Sequence, residues 1–307
     1  MRSIIDREIV HLQESIRALK SRRNELSPIS RFPAEILCKI FSLVEDGIFY
    51  TSWSPKFWIN FSQVSQHWRS TALSAPELWT QIPLNFPQRW IQEWLIRSKM
   101  AKLTFGYDVF SKHSSRPTIE TVRSCLNEMN RVEELGLNAE ACVLEKIFRD
   151  PSKSAPQLHT LCIVSSYTFS MYEDFFHDTE RLRRVELSNC RISWDSRLLT
   201  GLTCLSLSLE DSSWWRISDR THFSETNNSG SIIQVLHALQ RMPALMNLRL
   251  INSIPNESEG PSTFYYPVVN LPCLRTVVIS SDVGALTTVL RHITIPNSAE
   301  LCLTCRD

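Results

Sequence analysis

One short line recurs along most of this chain, with apolar residues at its first, fourth and sixth positions. It reads "VEELGLNAE" from Val132, "LHTLCIVSS" from Leu158, "LRRVELSNC" from Leu182, "LTCLSLSLE" from Leu202, "LMNLRLINS" from Leu245 and "LRTVVISSD" from Leu274. Weaker copies begin at Met100, "MAKLTFGYD", and at Ser298, "SAELCLTCR". Alternation over so few residues predicts a strand buried on one face. Between the lines, apolar residues recur at helical spacing. Ile119, Val122, Leu126 and Met129 share one face, and Val143, Leu144, Ile147 and Phe148 another. Ile232, Val235, Leu236 and Leu239 form a third, and Leu286, Val289, Leu290 and Ile293 a fourth. Each unit is thus a short strand plus a helix, and neither buries its apolar face without the next unit.

That is the logic of the leucine-rich repeat, L-x-x-L-x-L-x-x-N/C. Only the Leu182 line completes it, with Cys190 in the last slot and Ile192 beyond. The lines are unevenly spaced, so residues 85–307 are expected to form an irregular, leucine-rich-repeat-like α/β solenoid. A doubly wound α/β sheet is the alternative. Its first strand–helix turn usually carries glycines, and this chain has seven in all, none in such a turn. No polar capping repeat follows the last line, which predicts either a shortened solenoid or an exposed last strand.

Two polar stretches break the repeat, Glu210 to Ser231 and Asn252 to Asn270. They hold the aromatic clusters Trp214-Trp215 and Phe264-Tyr265-Tyr266. Such residues either dominate a partner contact or tuck under their loop and pack. Positions flanking the strand leucines line the open face of a leucine-rich repeat, and here they include Glu134, Arg184, Glu186 and Arg249. That mixed charge suits a protein partner; a nucleic acid calls for a basic stripe, which is not visible. The candidate substrate-binding residues are therefore Trp214, Trp215, Phe264, Tyr265, Tyr266, Arg184 and Arg249.

Residues 1–27 carry a different period. Ile5, Ile9, Leu12, Ile16, Leu19 and Leu26 are spaced as a heptad seam, with Arg23 filling the missing slot. About three repeats is the lower limit for a coiled coil. The helix either pairs with a partner, including a second copy, or it packs back on the body or frays. Ser27-Pro28 ends it, because the residue before proline avoids the α region.

Residues 28–84 begin with "PISRFPAEILCKIFSLV", in which Ile36, Leu37, Ile40, Phe41 and Val44 share one helical face, widened by Ile29, Phe32 and Leu43. A single neighbour needs a narrower stripe. A second apolar helix is expected in "FSQVSQHWRSTAL", from Phe61, Val64, Trp68 and Ala72, and "APELWTQIPL" gives a proline-initiated turn with Leu78 and Trp79. So few helices cannot bury so much apolar surface among themselves, and the surplus is expected to form an interface.

"FPAEILCKIFSLV" followed by "FSQVSQHWRSTALSAPELWTQI" resembles the F-box, with its L-P-x-E-[IL]-L-x-x-I-F opening, V-C-x-x-W-R centre and L-W close. The whole chain looks like fungal F-box proteins with a short heptad helix before the box. Phe32 stands for the usual leucine, Ser65 for the usual cysteine, and the link between the first two helices is longer than common. The resemblance implies a three-helix module that binds the Skp adaptor of Skp–cullin–F-box ubiquitin ligases through Phe32, Pro33, Ile36, Leu37, Ile40 and Phe41. It also implies that the repeat domain holds a substrate protein, and that no residue of the chain performs chemistry. The alternative is a scaffold that binds the Skp adaptor outside a ligase.

Composition narrows the remaining classes. A formal net charge of +1 gives no field toward nucleic acid or an anionic membrane. No apolar run reaches spanning length, and the charged start of the chain is no signal peptide. The expected setting is soluble and intracellular, in cytoplasm or nucleus. Nine cysteines, mostly on apolar faces, are expected as buried reduced thiols. Cys302-Leu303-Thr304-Cys305 lacks a second pair to complete a metal site. No phosphate loop, nucleophile elbow or H-E-x-x-H can be written from this sequence, so neither cofactor nor metal is expected. A hydrolase would require a Ser–His–Asp or Cys–His set that meets only in space.

Overall fold

In the computed structural model of the chain, each of the eight recurring lines carries a strand. The structure describes residues 1–48, 56–84, 86–106, 118–149, 152–171, 175–209, 230–255 and 265–306. Among the described residues the chain is mixed α/β, with a nine-stranded sheet and nine α-helices. We number the sheet strands β1 (Gln81–Pro83), β2 (Leu103–Gly106), β3 (Val132–Ala139), β4 (Thr160–Ser170), β5 (Arg184–Arg191), β6 (Cys204–Ser208), β7 (Asn247–Ile251), β8 (Thr276–Asp282) and β9 (Glu300–Arg306). Spatial order equals chain order, and from β2 to β9 every pairing is parallel. A doubly wound sheet reverses its strand order at a switch point; this one never does, so that alternative is set aside.

Contacts divide the chain into two units, Met1–Pro83 with Gln92–Ala101, and Leu84–Ile91 with Lys102–Asp307. In the second unit, register turns the repeating lines into ladders across the sheet. Leu135, Leu161, Val185, Leu205, Leu248 and Val277 form one buried row, and Leu137, Ile163, Leu187, Leu207, Leu250 and Ile279 the next. The residues between them point the other way, since side chains alternate across a strand.

Parallel neighbours need crossover connections, and the helical patterns supply four. They are α6 (Ile119–Leu126), α7 (Ala141–Phe148), α8 (Ile232–Gln240) and α9 (Val283–His292), one at each expected apolar face. Caps fix where three of them start: the Thr118 and Ser231 hydroxyls and the Asp282 carboxylate each accept a backbone N–H of the first turn. Under β4, Phe148, Phe169, Phe175 and Phe176 form an edge-and-face cluster with ring centroids 4.6–6.1 Å apart. The last strand, β9, is exposed, with Leu301 and Leu303 open to solvent at the end of the apolar rows.

An unforeseen equivalence links two of the lines. Asn189 and Asn252 are each the eighth residue of their line and both take left-handed backbone, with φ of 57° and 52°. Each donates its side-chain amide to the carbonyl of the eighth residue in the preceding line, Asn189 to Ser165 and Asn252 to Leu209, both at 3.0 Å. Asparagine tolerates this conformation better than most residues because its short amide bonds locally. Cys190, in the slot that completes the motif, is buried, and its thiol lies 3.2 Å from the Ser188 carbonyl.

The first unit is helical. Helix α1 (Arg2–Glu25) is followed by a 3₁₀ turn, Pro28–Arg31, then α2 (Ala34–Ile48), α3 (Lys56–Val64), α4 (Gln66–Ser74) and a second 3₁₀ turn, Pro76–Trp79. Helix α5 (Gln88–Arg97) straddles the division between the units. The single helix expected across Phe61–Ala72 is in fact two. Ser65 adopts extended backbone and its hydroxyl accepts the Trp68 N–H at 3.1 Å, capping α4 and ending α3 before it. Val64 is consequently exposed and Trp68 only half-buried.

Candidate functional site

The surplus apolar surface of the first unit has a definite place. Pro33 lies just before α2, and its carbonyl accepts the N–H groups of Ile36 and Leu37, each at 3.1 Å. Proline suits this position because it has no N–H to leave unpaired. From here the helix presents two apolar stripes. The inner one is Leu37, Cys38 and Phe41, all buried. Phe41 stacks on Phe61 with centroids 4.6 Å apart and tilts against Trp68 at 5.1 Å. Burial raises the pKa of the Cys38 thiol, helped by the nearby Glu77 carboxylate.

The outer stripe is Ile36, Ile40 and Leu43, spaced four and three residues apart, with Phe32 at its head. Phe32 is 43% and Ile36 48% exposed; Ile40 is half-buried and Leu43 open. Of the six residues expected to bind an adaptor, Phe32, Pro33, Ile36 and Ile40 therefore lie on accessible surface. Leu37 and Phe41 do not. Their side chains are consumed by the unit's own aromatic core, and they act on any surface contact only by holding α2 in place. Leu43 and Val64 join the exposed set.

Behind this helix the unit is pinned by two tryptophans. The Trp79 indole donates to the Ala72 carbonyl at 2.9 Å and packs edge-on against Trp94, 5.4 Å away. The Arg97 guanidinium sits over the Trp79 ring at 5.0 Å, held from its far side by Glu93 at 3.0 Å.

In the second unit the open side of the sheet gathers the expected strand-face residues. In register, Glu134, Thr160, Arg184, Cys204, Asn247 and Thr276 form one row. Gly136, Cys162, Glu186, Ser206, Arg249 and Val278 form the next. Arg184 donates to Glu186, Nε to Oε1 at 2.7 Å. Desolvation opposes the Arg184 charge, but that bond and the carboxylate more than offset it, and its pKa rises. Two strands away, Arg249 is exposed between Ser206 and Val278. Burial, then Glu186, pushes the Cys162 thiol up to about 11. Burial likewise raises Cys204. Both stay protonated near neutral pH and are poor nucleophiles.

Of the loop aromatics, Tyr265 is 91% exposed. Tyr266 is not a free loop residue: its ring lies 5.1 Å from that of His292 on α9. Trp214, Trp215 and Phe264 lie outside the described residues.

A cavity of about 360 Å³ opens at the carboxyl ends of β4 to β7, lined by Met171, Cys190, Trp194, Leu207, Gln234 and Ser253 among others. No histidine is among its described lining residues, and burial raises the Cys190 thiol well above its ordinary range. Elsewhere Ser154 donates to Asp178 at 2.7 Å and His177 lies 3.6 Å from the same carboxylate. Here the aspartate, not the imidazole, faces the hydroxyl, so the general base of a serine nucleophile is missing.

The thiols divide differently from expectation. All nine are free, with Cys38, Cys125 and Cys190 buried but Cys142, Cys273, Cys302 and Cys305 exposed. Cys302 and Cys305 sit three apart on β9 and so project to opposite faces, which prevents joint ligation. Among the described residues no cluster of metal-ligating side chains occurs, and no helix is long and apolar enough to cross a membrane. Compared with known proteins, the chain matches no family model and no curated protein.

Proposed function

We propose that this chain is the substrate-recognition adaptor of a Skp–cullin–F-box ubiquitin ligase. One observation carries the reading: Ile36, Ile40 and Leu43 of α2, with Phe32 just before it, form a partly exposed apolar stripe beside an adjoining stripe anchored by Phe41 and Leu37. Burying a Leu, Ile or Phe contributes about 1.5–3 kcal/mol. About half of that surface is still open at Phe32 and Ile36, so the stripe retains a few kcal/mol to offer a partner. The stripe falls on the residues that carry the F-box resemblance, which makes the Skp adaptor its occupant and cullin the next protein along.

In the same reading the second unit is an irregular leucine-rich-repeat-like array whose open strand face receives a substrate protein. Arg184, Glu186 and Arg249 supply mixed charge there and Tyr265 an exposed aromatic ring, with Trp214, Trp215, Tyr266 and Phe264 as further candidates. The chain performs no bond chemistry. It raises the effective concentration of a substrate lysine at a ubiquitin-conjugating enzyme held elsewhere on the cullin, in cytoplasm or nucleus.

The test is co-purification with the Skp protein. Phe32→Ala combined with Pro33→Ala should abolish it and leave the circular dichroism spectrum unchanged; normal recovery by a folded double variant places the contact elsewhere. Cullin recovered together with the Skp protein distinguishes a ligase subunit from a scaffold that binds Skp alone.

A further inference from the structure

Helix α1 buries none of its residues. Its heptad seam, Ile5, Ile9, Leu12, Ile16, Leu19 and Leu26, is exposed along its whole length, from 47% at Ile9 to 72% at Leu26. The helix meets the body of its unit by another side. Ser21 and Asn24 are half-buried, and the Asn24 amide donates to the Val64 carbonyl at 3.5 Å. On a helical wheel those two residues lie away from the seam, so the attachment to the body leaves the seam facing outward. An isolated helix of this length with a bare apolar stripe is marginal in water. What covers it is written in its own charges.

Taking Ile9 and Ile16 as the first core position of each heptad and Leu12 and Leu19 as the second, the flanking positions are Asp6, Gln13 and Lys20 on one side and Glu8, Ser15 and Arg22 on the other. Each flank runs acidic, neutral, basic from the N-terminal to the C-terminal end. In a parallel copy each flank faces the opposite flank five residues on, which sets Glu8 against Gln13 and Ser15 against Lys20 and forms no ion pair. A reversed copy sets Asp6 against Lys20 on one flank and Glu8 against Arg22 on the other, each twice by symmetry. The same reversal aligns the core: Ile9 meets Leu19 and Leu12 meets Ile16 in successive layers. Arg2 and Arg23 then fall at the two ends, opposite Leu26 and Ile5, where long side chains can keep their charge in water. Antiparallel helix dipoles add to the preference.

We propose that α1 is a homodimerisation helix that pairs with α1 of a second copy in antiparallel orientation, an isologous two-fold contact. The inference stands apart from the adaptor reading: it requires neither the Skp protein nor a substrate.

Full-length protein and two full-length variants test it by sedimentation. Asp6→Lys with Glu8→Arg makes both flanks basic; Lys20→Glu with Arg22→Glu makes both acidic. The parent should dimerise within about 1–100 µM, as expected for a short seam. Each variant alone should associate about tenfold more weakly or worse, because every cross-pair becomes a repulsion. An equimolar mixture of the two should recover the dimer, which also shows that both variants remain folded. A parent that is monomeric throughout this range overturns the proposal. Variants that each still dimerise like the parent overturn the antiparallel arrangement, since in a parallel pair the altered charges face neutral side chains such as Gln13 and Ser15 and gain no new repulsion. A mixture that stays monomeric overturns it as well, because complementary charges then fail to restore pairing.

Discussion

The two units of this chain use apolar residues in opposite ways. In the second, each leucine of the repeating line finds its counterpart on the next strand, and the rows through Leu205 and Leu207 are buried from β3 to β8. In the first, helix α2 is apolar on two sides but covered on one, and α1 is covered on neither side of its seam. A repeat satisfies itself, because every unit brings the partner for the unit before. A few short helices cannot do so, and they leave Phe32, Ile36, Leu43 and Val64 exposed. Apolar content therefore measures stability in the second unit, whereas in the first a part of it stays on the surface, where the proposed function places a partner.

Substitutions within the first unit should expose this division most sharply. Phe41→Ala removes a fully buried ring that stacks on Phe61, and should cost about 3–5 kcal/mol, read as lost hydrogen-exchange protection across α2 and α4. A cost below about 1 kcal/mol would mean that α2 is not anchored by its inner stripe. In the second unit, Leu205→Ala deletes a buried side chain at the centre of a row. It should cost about 2–5 kcal/mol in chemical denaturation, with its effect centred on β5, β6 and β7. An equal loss from truncating an outer-stripe residue would erase the contrast between the units.

A smaller effect is expected at Asn189, where alanine must adopt left-handed backbone and loses the amide bond to Ser165. The cost should be about 1–3 kcal/mol. Asn189→Gly, which tolerates the backbone but lacks the amide, should recover part of it. If glycine and alanine are equally destabilising, the side-chain bond rather than the backbone sets the cost. Smallest of all is the Arg184–Glu186 pair on the strand face: Arg184→Ala should change stability by about 1 kcal/mol or less, since exposed ion pairs contribute little.

Most of the second unit was legible in the sequence because a repeat states its pattern many times. All eight lines became strands, the two weak ones included, and the four helical faces became helices, except that Met129 falls in a 3₁₀ turn after α6 and Ile293 in a short strand after α9. Periodicity carries no information about isolated backbone choices, so the left-handed asparagines at 189 and 252 were invisible, as were the 3₁₀ turn at Arg197–Leu199 and the pairing of Tyr266 with His292. In the first unit, the break at Ser65 was hidden because Phe61, Val64, Trp68 and Ala72 keep helical spacing straight through the cap. The burial of Leu37 and Phe41 was hidden for a related reason. Both stripes of α2 are apolar, and only Phe61 and Trp68, arriving from other helices, decide which one is covered. Helix α5 escaped notice although Trp90, Ile91, Trp94 and Leu95 already show its face.

The account turns on the outer stripe of α2 being a surface for a partner and not a part of the core. Calorimetric titration of purified Skp protein into the Ile36→Asp variant tests this most directly, with thermal unfolding recorded on the same sample. Ile36 is half-exposed, so the variant should stay folded with an unfolding transition only slightly below the parent's, while a carboxylate buried unpaired in the contact should weaken binding beyond detection. Parental affinity in a variant that unfolds like the parent would contradict the account.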